Sequence, residues 1–141
     1  MFSICLVIEN KEPEWYNQWG YVLSHWKPSE LYVIGDEVNT AYKAFRNAIT
    51  VQTAEDITSG PLVLFQPITA KEIQPTQSVI SFQHPSSCVY MFGADHTIFT
   101  ASFLGLRAPE HIVYIPTEGD TEMFSWTAGA VAMYDRKVKN G

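Results

Sequence analysis

Cys88-Val89-Tyr90-Met91-Phe92-Gly93-Ala94-Asp95-His96 and, after a connector, His111-Ile112-Val113-Tyr114-Ile115-Pro116-Thr117-Glu118-Gly119 decide how this chain is read. Each carries an unbroken apolar run, 89–92 and 112–115, that closes on a turn residue. That is the pattern of a strand buried on both faces. Gly93 lets the backbone turn sharply and puts no Cβ in the way of a ligand. Pro116 ends the second strand because it cannot donate to a ladder. An amphipathic stretch over 122–138 follows, closing on Tyr134-Asp135-Arg136. The order is strand, glycine turn, strand, Ile-Pro turn, helix. Strand ends that open into loops in an α/β sheet form the usual ligand crevice.

The same logic runs back to the N-terminus. Phe2–Ile8 reads as a buried first strand. A helix is predicted over 14–26, where Trp15, Trp19, Val22 and Trp26 fall at helical spacing and Pro28 stops the run. This tryptophan stripe reads as core, with base stacking as the functional alternative. Strands follow at 31–34, 49–52 and 62–65. A short helix is predicted from Asn39 or Thr40 to Asn47, and a helical turn over 54–58. Residues 67–85 carry three prolines and predict little regular structure beyond a turn at 69–73 and an extended piece at 79–82. A helix is expected over 98–106, ended by Gly105 and Pro109. In the last helix, Phe124, Ala128, Val131 and Val138 lie near one face. The small residues Thr127-Ala128-Gly129-Ala130 allow close backbone approach, for tight packing, threading or a dimer interface. Strands alternating with helices predict an α/β fold with a mostly parallel sheet flanked by helices. No repeat or linker interrupts the 141 residues, which predict a single domain over 1–141.

Composition narrows the function. No run approaches the ~20 apolar residues of a membrane helix, and the opening strand lacks the basic start of a signal peptide. Cys5 and Cys88 have neither disulfide nor metal spacing, so a reduced, cytoplasmic setting is expected. The four histidines add no compact metal motif. A nucleophile elbow, a P-loop and a dinucleotide-binding glycine motif are all missing. The net charge of −6 argues against a broad RNA-binding face. Arg107, Arg136, Lys137 and Lys139 are the candidates for a local basic patch, or they simply oppose a helix dipole.

A strand ending Phe92-Gly93-x-Asp95, a strand ending Ile115-Pro116-Thr117 and a C-terminal helix together resemble the SPOUT methyltransferases of the TrmH/SpoU type. Phe82-Gln83-His84-Pro85 ahead of the first strand and Tyr134-Asp135-Arg136 at the end are similar to that family too. The resemblance implies a C-terminal trefoil knot, S-adenosyl-L-methionine as cofactor, and a homodimer whose sites are completed by both subunits. It implies methyl transfer to a ribose 2′-hydroxyl of tRNA or rRNA, with no membrane or metal. Carried over, the cofactor pocket falls on Phe65, Gln66, Phe92, Gly93, Ile115, Thr117, Met123 and Phe124. Ser125 or Thr127 would orient a hydroxyl, and Asp95 or His96 would handle a proton.

The chain also departs from the family. Tyr21 stands where the first motif has Arg, Trp15 stands where it has Asn, and the third motif reads Met123-Phe124-Ser125 without its Asn. These losses suit a catalytically inactive homologue that binds cofactor or a partner. An unrelated flavodoxin-like binding domain is the remaining alternative.

Overall fold

The computed structural model describes residues 1–9, 12–35, 38–66, 76–93, 101–120 and 123–141. Their strands form one sheet of order β3-β2-β1-β6-β4-β7-β5. These are β1 (Phe2–Ile8), β2 (Leu31–Gly35), β3 (Ile49–Thr50), β4 (Leu62–Phe65), β5 (Gln77–Ser78), β6 (Cys88–Phe92) and β7 (His111–Tyr114). Every pairing is parallel. Parallel strands covered on both faces have no polar side, which is why 2–8, 62–65 and 88–92 are nearly unbroken apolar runs.

Successive side chains point to opposite faces, and two cores result. Ile4, Leu6, Ile8, Val33, Val63, Phe65, Tyr90 and Phe92 face helices α1 (Pro13–Trp26) and α3 (Ser125–Asn140). Cys5, Val7, Tyr32, Ile34, Leu62, Leu64, Val89 and Met91 face Ala54, Ile57 and the short helix α2 (Ala101–Leu104). Pro13 occupies the first turn of α1, where its missing N–H costs nothing. Lys27, in the left-handed conformation, closes that helix through its N–H to the Leu23 carbonyl at 2.9 Å. Gly35 has φ 111°, and a Cβ there would sit 2.2 Å from the Ile8 carbonyl oxygen. Only glycine lets β1 and β2 end side by side.

Four local expectations need correction. Between Asn39 and Asn47 the chain forms a turn and a single 3-10 turn (Lys43–Phe45); the Asn39 side chain accepts the Ala41 N–H at 3.0 Å and closes a turn instead of a helix. The third strand stops at Thr50. The extended piece is Gln77–Ser78, while Val79 and Phe82 turn into the core through an N–H from Phe82 to the Val79 carbonyl. The face of α3 is rotated: Ser125, Gly129, Ala132 and Met133 are buried, whereas Phe124, Val131 and Val138 are exposed. The turn expected at 69–73 lies outside the described residues, and so does the start of the helix expected over 98–106.

Candidate functional site at the ends of three adjacent strands

The sheet brings β6, β4 and β7 together in that order, all parallel. Their carboxyl ends therefore lie at one sheet edge, where ligands bind in open α/β folds. Phe65 is in register with Phe92 on one side and Val113 on the other. The Gln66 N–H continues the ladder to the Val113 carbonyl at 2.9 Å. Phe65-Gln66, Phe92-Gly93 and Ile115 thus converge, although they are far apart in sequence.

The aromatic side chains at these ends look inward. The Phe65 and Phe92 rings stack at 5.1 Å, and Phe92 packs on Trp19 at 5.3 Å. Both phenylalanines are buried, so backbone is what they can offer a ligand. Gln66, the residue after Phe65, is also buried. Ile115 packs against the same core, and Thr117 and Met123 are half-buried. Phe124 is exposed and stacks on Trp126 at 4.5 Å, within 6° of parallel. Apolar walls with a few polar backbone and side-chain groups are what a nucleoside-sized ligand requires.

Ser125 is buried at the start of α3, and its Oγ accepts the Trp19 Nε1–H at 3.0 Å. Thr127 is exposed. Asp95 and His96 lie outside the described residues. Trp15 is buried against Tyr16 and Phe45, so the position matching the family's Asn belongs to the core. Tyr21, at the position matching the Arg, is 64% exposed. Trp19 is fully buried and Trp26 is half-buried, as the core reading of the tryptophan stripe expects.

The candidate basic patch is occupied from within. Arg107 donates to the Ile57 and Gly60 carbonyls. Arg136 donates to the Pro85 carbonyl at 2.7 Å, the Ser86 carbonyl at 2.8 Å and the Tyr90 hydroxyl at 2.9 Å. Lys139 binds the carbonyls of Val79, Ile80 and Phe82 and the carboxylate of Asp135. Lys137 is exposed and, alone of the four, makes no such contact among the described residues.

Sequence reasoning did not see the cluster that these cations complete. His84 Nδ1 lies 2.6 Å from the Tyr90 hydroxyl and its Nε2 lies 2.7 Å from Asp135. The Asn140 amide reaches the His84 carbonyl at 3.3 Å. The segments 82–85 and 134–136 carried the only signal, through their resemblance to one family, and nothing in their spacing gave the contact. Among the described residues no group of His, Cys, Asp and Glu is placed to hold a metal. None of their helices is long and apolar enough to cross a membrane.

No family model matches the sequence, and neither does any curated protein. Solved structures match over nearly the whole chain. The SpoU methyltransferase AviRb from Streptomyces viridochromogenes, in complex with AdoMet, is 14% identical over 98% of this chain, with a TM-score of 0.73. An RNA 2′-O ribose methyltransferase is 14% identical over 97%, with a TM-score of 0.70. This chain spans 57% and 56% of those two proteins' lengths. A putative RNA methyltransferase from Bacillus anthracis is 12% identical with a TM-score of 0.67, and the match covers 99% of this chain and 95% of that one. The chain has the fold of the SpoU/TrmH-type RNA methyltransferases.

Proposed function

We propose that this chain binds S-adenosyl-L-methionine at the joined ends of β4, β6 and β7 and methylates a ribose 2′-hydroxyl of tRNA or rRNA. The observation that carries the reading is the adjacency of Phe65-Gln66, Phe92-Gly93 and Ile115 on three neighbouring parallel strands. It sits in a fold shared with the SpoU methyltransferase AviRb, whose structure holds AdoMet. The residues fit such a ligand: a buried amide at Gln66, inward-facing phenylalanines that leave backbone groups available, and a glycine at 93. Thr117, Met123 and Phe124 complete the wall. The knot expected of this family would thread 123–141 past the loop at 93.

S-adenosylmethionine supplies an activated methyl group on a sulfonium. A ribose hydroxyl that receives that methyl group would have to give up its proton. Rate then depends on alignment and on a group that takes the proton or stabilises the oxyanion. Ser125 and Thr127 are the candidates for orienting the hydroxyl, and Asp95 and His96 for the proton. A homodimer is supported by the exposed apolar residues Val131, Tyr134 and Val138 on the outer face of α3. A cytoplasmic setting suits the RNA substrate.

A second reading is a catalytically silent cofactor- or partner-binding module. It is favoured by the burial of Trp15, the solvent-facing Tyr21, and cations engaged with the chain's own carbonyls. Calorimetry with S-adenosylhomocysteine tests the binding step common to both readings: saturable binding to the wild type, lost in Gly93→Val with the melting curve retained. No binding ends both. Methyl transfer to bulk tRNA and rRNA then separates them, with a relative carrying the intact motifs as positive control. Full transfer by a folded Ser125→Ala, His96→Ala double variant would remove those two residues from the mechanism.

A further inference from the structure

At the opposite end of the sheet from β4 and β7, a groove of about 860 Å³ runs along α1. The turn segment that carries Tyr42, Lys43, Ala44 and Asn47 makes its other bank. Small residues face each other across it: a Cβ added at Gly20 would come into ordinary van der Waals contact with the Ala44 Cβ, at 3.9 Å. Tyr16 and Tyr42 stack at 4.8 Å, within 7° of parallel. The Asn39 N–H donates to the Tyr16 hydroxyl at 3.1 Å and fixes that ring. Leu23, Leu31 and Ile49 continue the apolar lining, and Ile49 is 40% exposed.

Charge at the rim runs against the rest of the molecule. The chain holds nine Lys and Arg against fifteen Asp and Glu. The groove holds Lys27 and Lys43 against Glu30 alone. Neither lysine has an ion-pair partner among the described residues. Lys27 has φ 47°, the one positive value at a non-glycine among them. That conformation is unfavourable for an L-residue, and Gly at the same helix end would avoid the strain. The volume lies within the ~300–1,000 Å³ of small-molecule sites. Fixed aromatic rings beside apolar walls favour a flat ring system. Unpaired ammonium groups at its mouth favour an anion.

We propose that this groove is a second ligand site, which takes a flat aromatic molecule carrying an anionic group. Nucleotide phosphates and aromatic carboxylates share that chemistry. The site is distinct from the strand-end pocket, since β1 lies between β2, whose Leu31 lines the groove, and β6.

Amide chemical shifts of the full chain test it, with S-adenosylhomocysteine present in excess. The probes are two matched pairs: AMP with adenosine, and 2-naphthoate with 2-naphthalenemethanol. At least one anionic probe should shift the Gly20, Tyr21 and Leu23 amides saturably, and its neutral partner should bind about tenfold more weakly or worse. Which anion binds identifies the source of the chemistry. Gly20→Leu, which fills the groove, should abolish the shifts, and Lys27→Glu with Lys43→Glu should weaken them by about tenfold or more. Gly20→Ala, which the 3.9 Å spacing accommodates, is the folding control. The proposal is overturned if neither anion binds at millimolar concentration, or if charged and neutral partners bind equally. Both comparisons use wild-type protein, so they decide the matter even where a variant fails to fold. Shifts at 65–66 and 92–93 report the strand-end pocket separately.

Discussion

The Nε2 of His84 stands 2.7 Å from Oδ2 of Asp135, so a loop ahead of β6 is joined to the last helix through one imidazole. The other ring nitrogen is 2.6 Å from the Tyr90 hydroxyl, which also accepts a hydrogen bond from Arg136. A hydroxyl that accepts from Arg136 has its own proton to give to Nδ1. Nε2 then carries the hydrogen and donates to Asp135, and the ring is neutral. Burial lowers the His84 pKa, outweighing the upward pull of Asp135, with Lys139 and Arg136 assisting burial. The folded pKa is below the unfolded value, so the unfolded chain binds the proton first. Stability from this group is complete above about 6.5 and declines as pH falls below it. Urea midpoints at pH 7.5 and 5.5 should fall more for wild type than for His84→Gln. Equal falls would refute the assignment.

Gly129 faces the Trp19 ring so closely that a Cβ there would lie 2.4 Å from Cη2. Gly129→Ala should gain about 1 kcal/mol of helix propensity and still lose about 1–3 kcal/mol net through overpacking. The ring has no easy escape, because Ser125 holds its Nε1. Adding Trp19→Phe to Gly129→Ala should recover part of that loss relative to the sum of the single variants. Denaturant unfolding of the four proteins in this cycle measures it.

Arg136 is matched to its partners by shape as well as charge. Two nitrogens reach two carbonyls and a hydroxyl, and the guanidinium lies 5.2 Å from the Phe2 ring centre. Lysine keeps the charge but lacks the fork. Arg136→Lys should cost about 1.5–3 kcal/mol, read as a lowered denaturation midpoint.

If α3 pairs with a second copy, Val131→Glu should raise the dimer dissociation constant by about tenfold or more, because a carboxylate is costly in an apolar interface. Sedimentation velocity across a dilution series gives the constant. A wild type that is monomeric throughout would remove the dimer from the proposal.

Burial pushes the Cys5 thiol up to about 12, and burial also raises Cys88 despite Arg136 nearby. Thiolate, the reactive form, is therefore scarce at both positions. Native protein should react with a thiol reagent no faster than it unfolds, and both cysteines should titrate at once in denaturant.

The strands are legible because two-sided burial writes them as apolar runs; β1 and β4 begin and end where the runs do, and β6 starts one residue earlier, at Cys88. The turn at 79–82 looks extended in sequence because Val79 and Phe82 are apolar for the core's sake, while the adjoining strand at the sheet edge is Gln77–Ser78. The face of α3 misleads for a related reason. Periodicity selects the largest apolar residues, yet the inner face must be small to admit Trp19, so Gly129 and Ala132 are inside and Val131 and Val138 are not. The strand ends that make the candidate site are readable one by one. Their adjacency follows from sheet order, which local pattern does not encode.

In the finished sheet β6 separates β1 from β4 and bonds to both. On the ribosome β1 and β4 emerge well before it. A nascent chain halted at that stage leaves one edge of β1 and both edges of β4 greasy and unmatched, open to pairing with other chains. Arrival of 88–92 is therefore the step at which translation closes the sheet's middle, and a pause just upstream should be the moment of greatest dependence on chaperones.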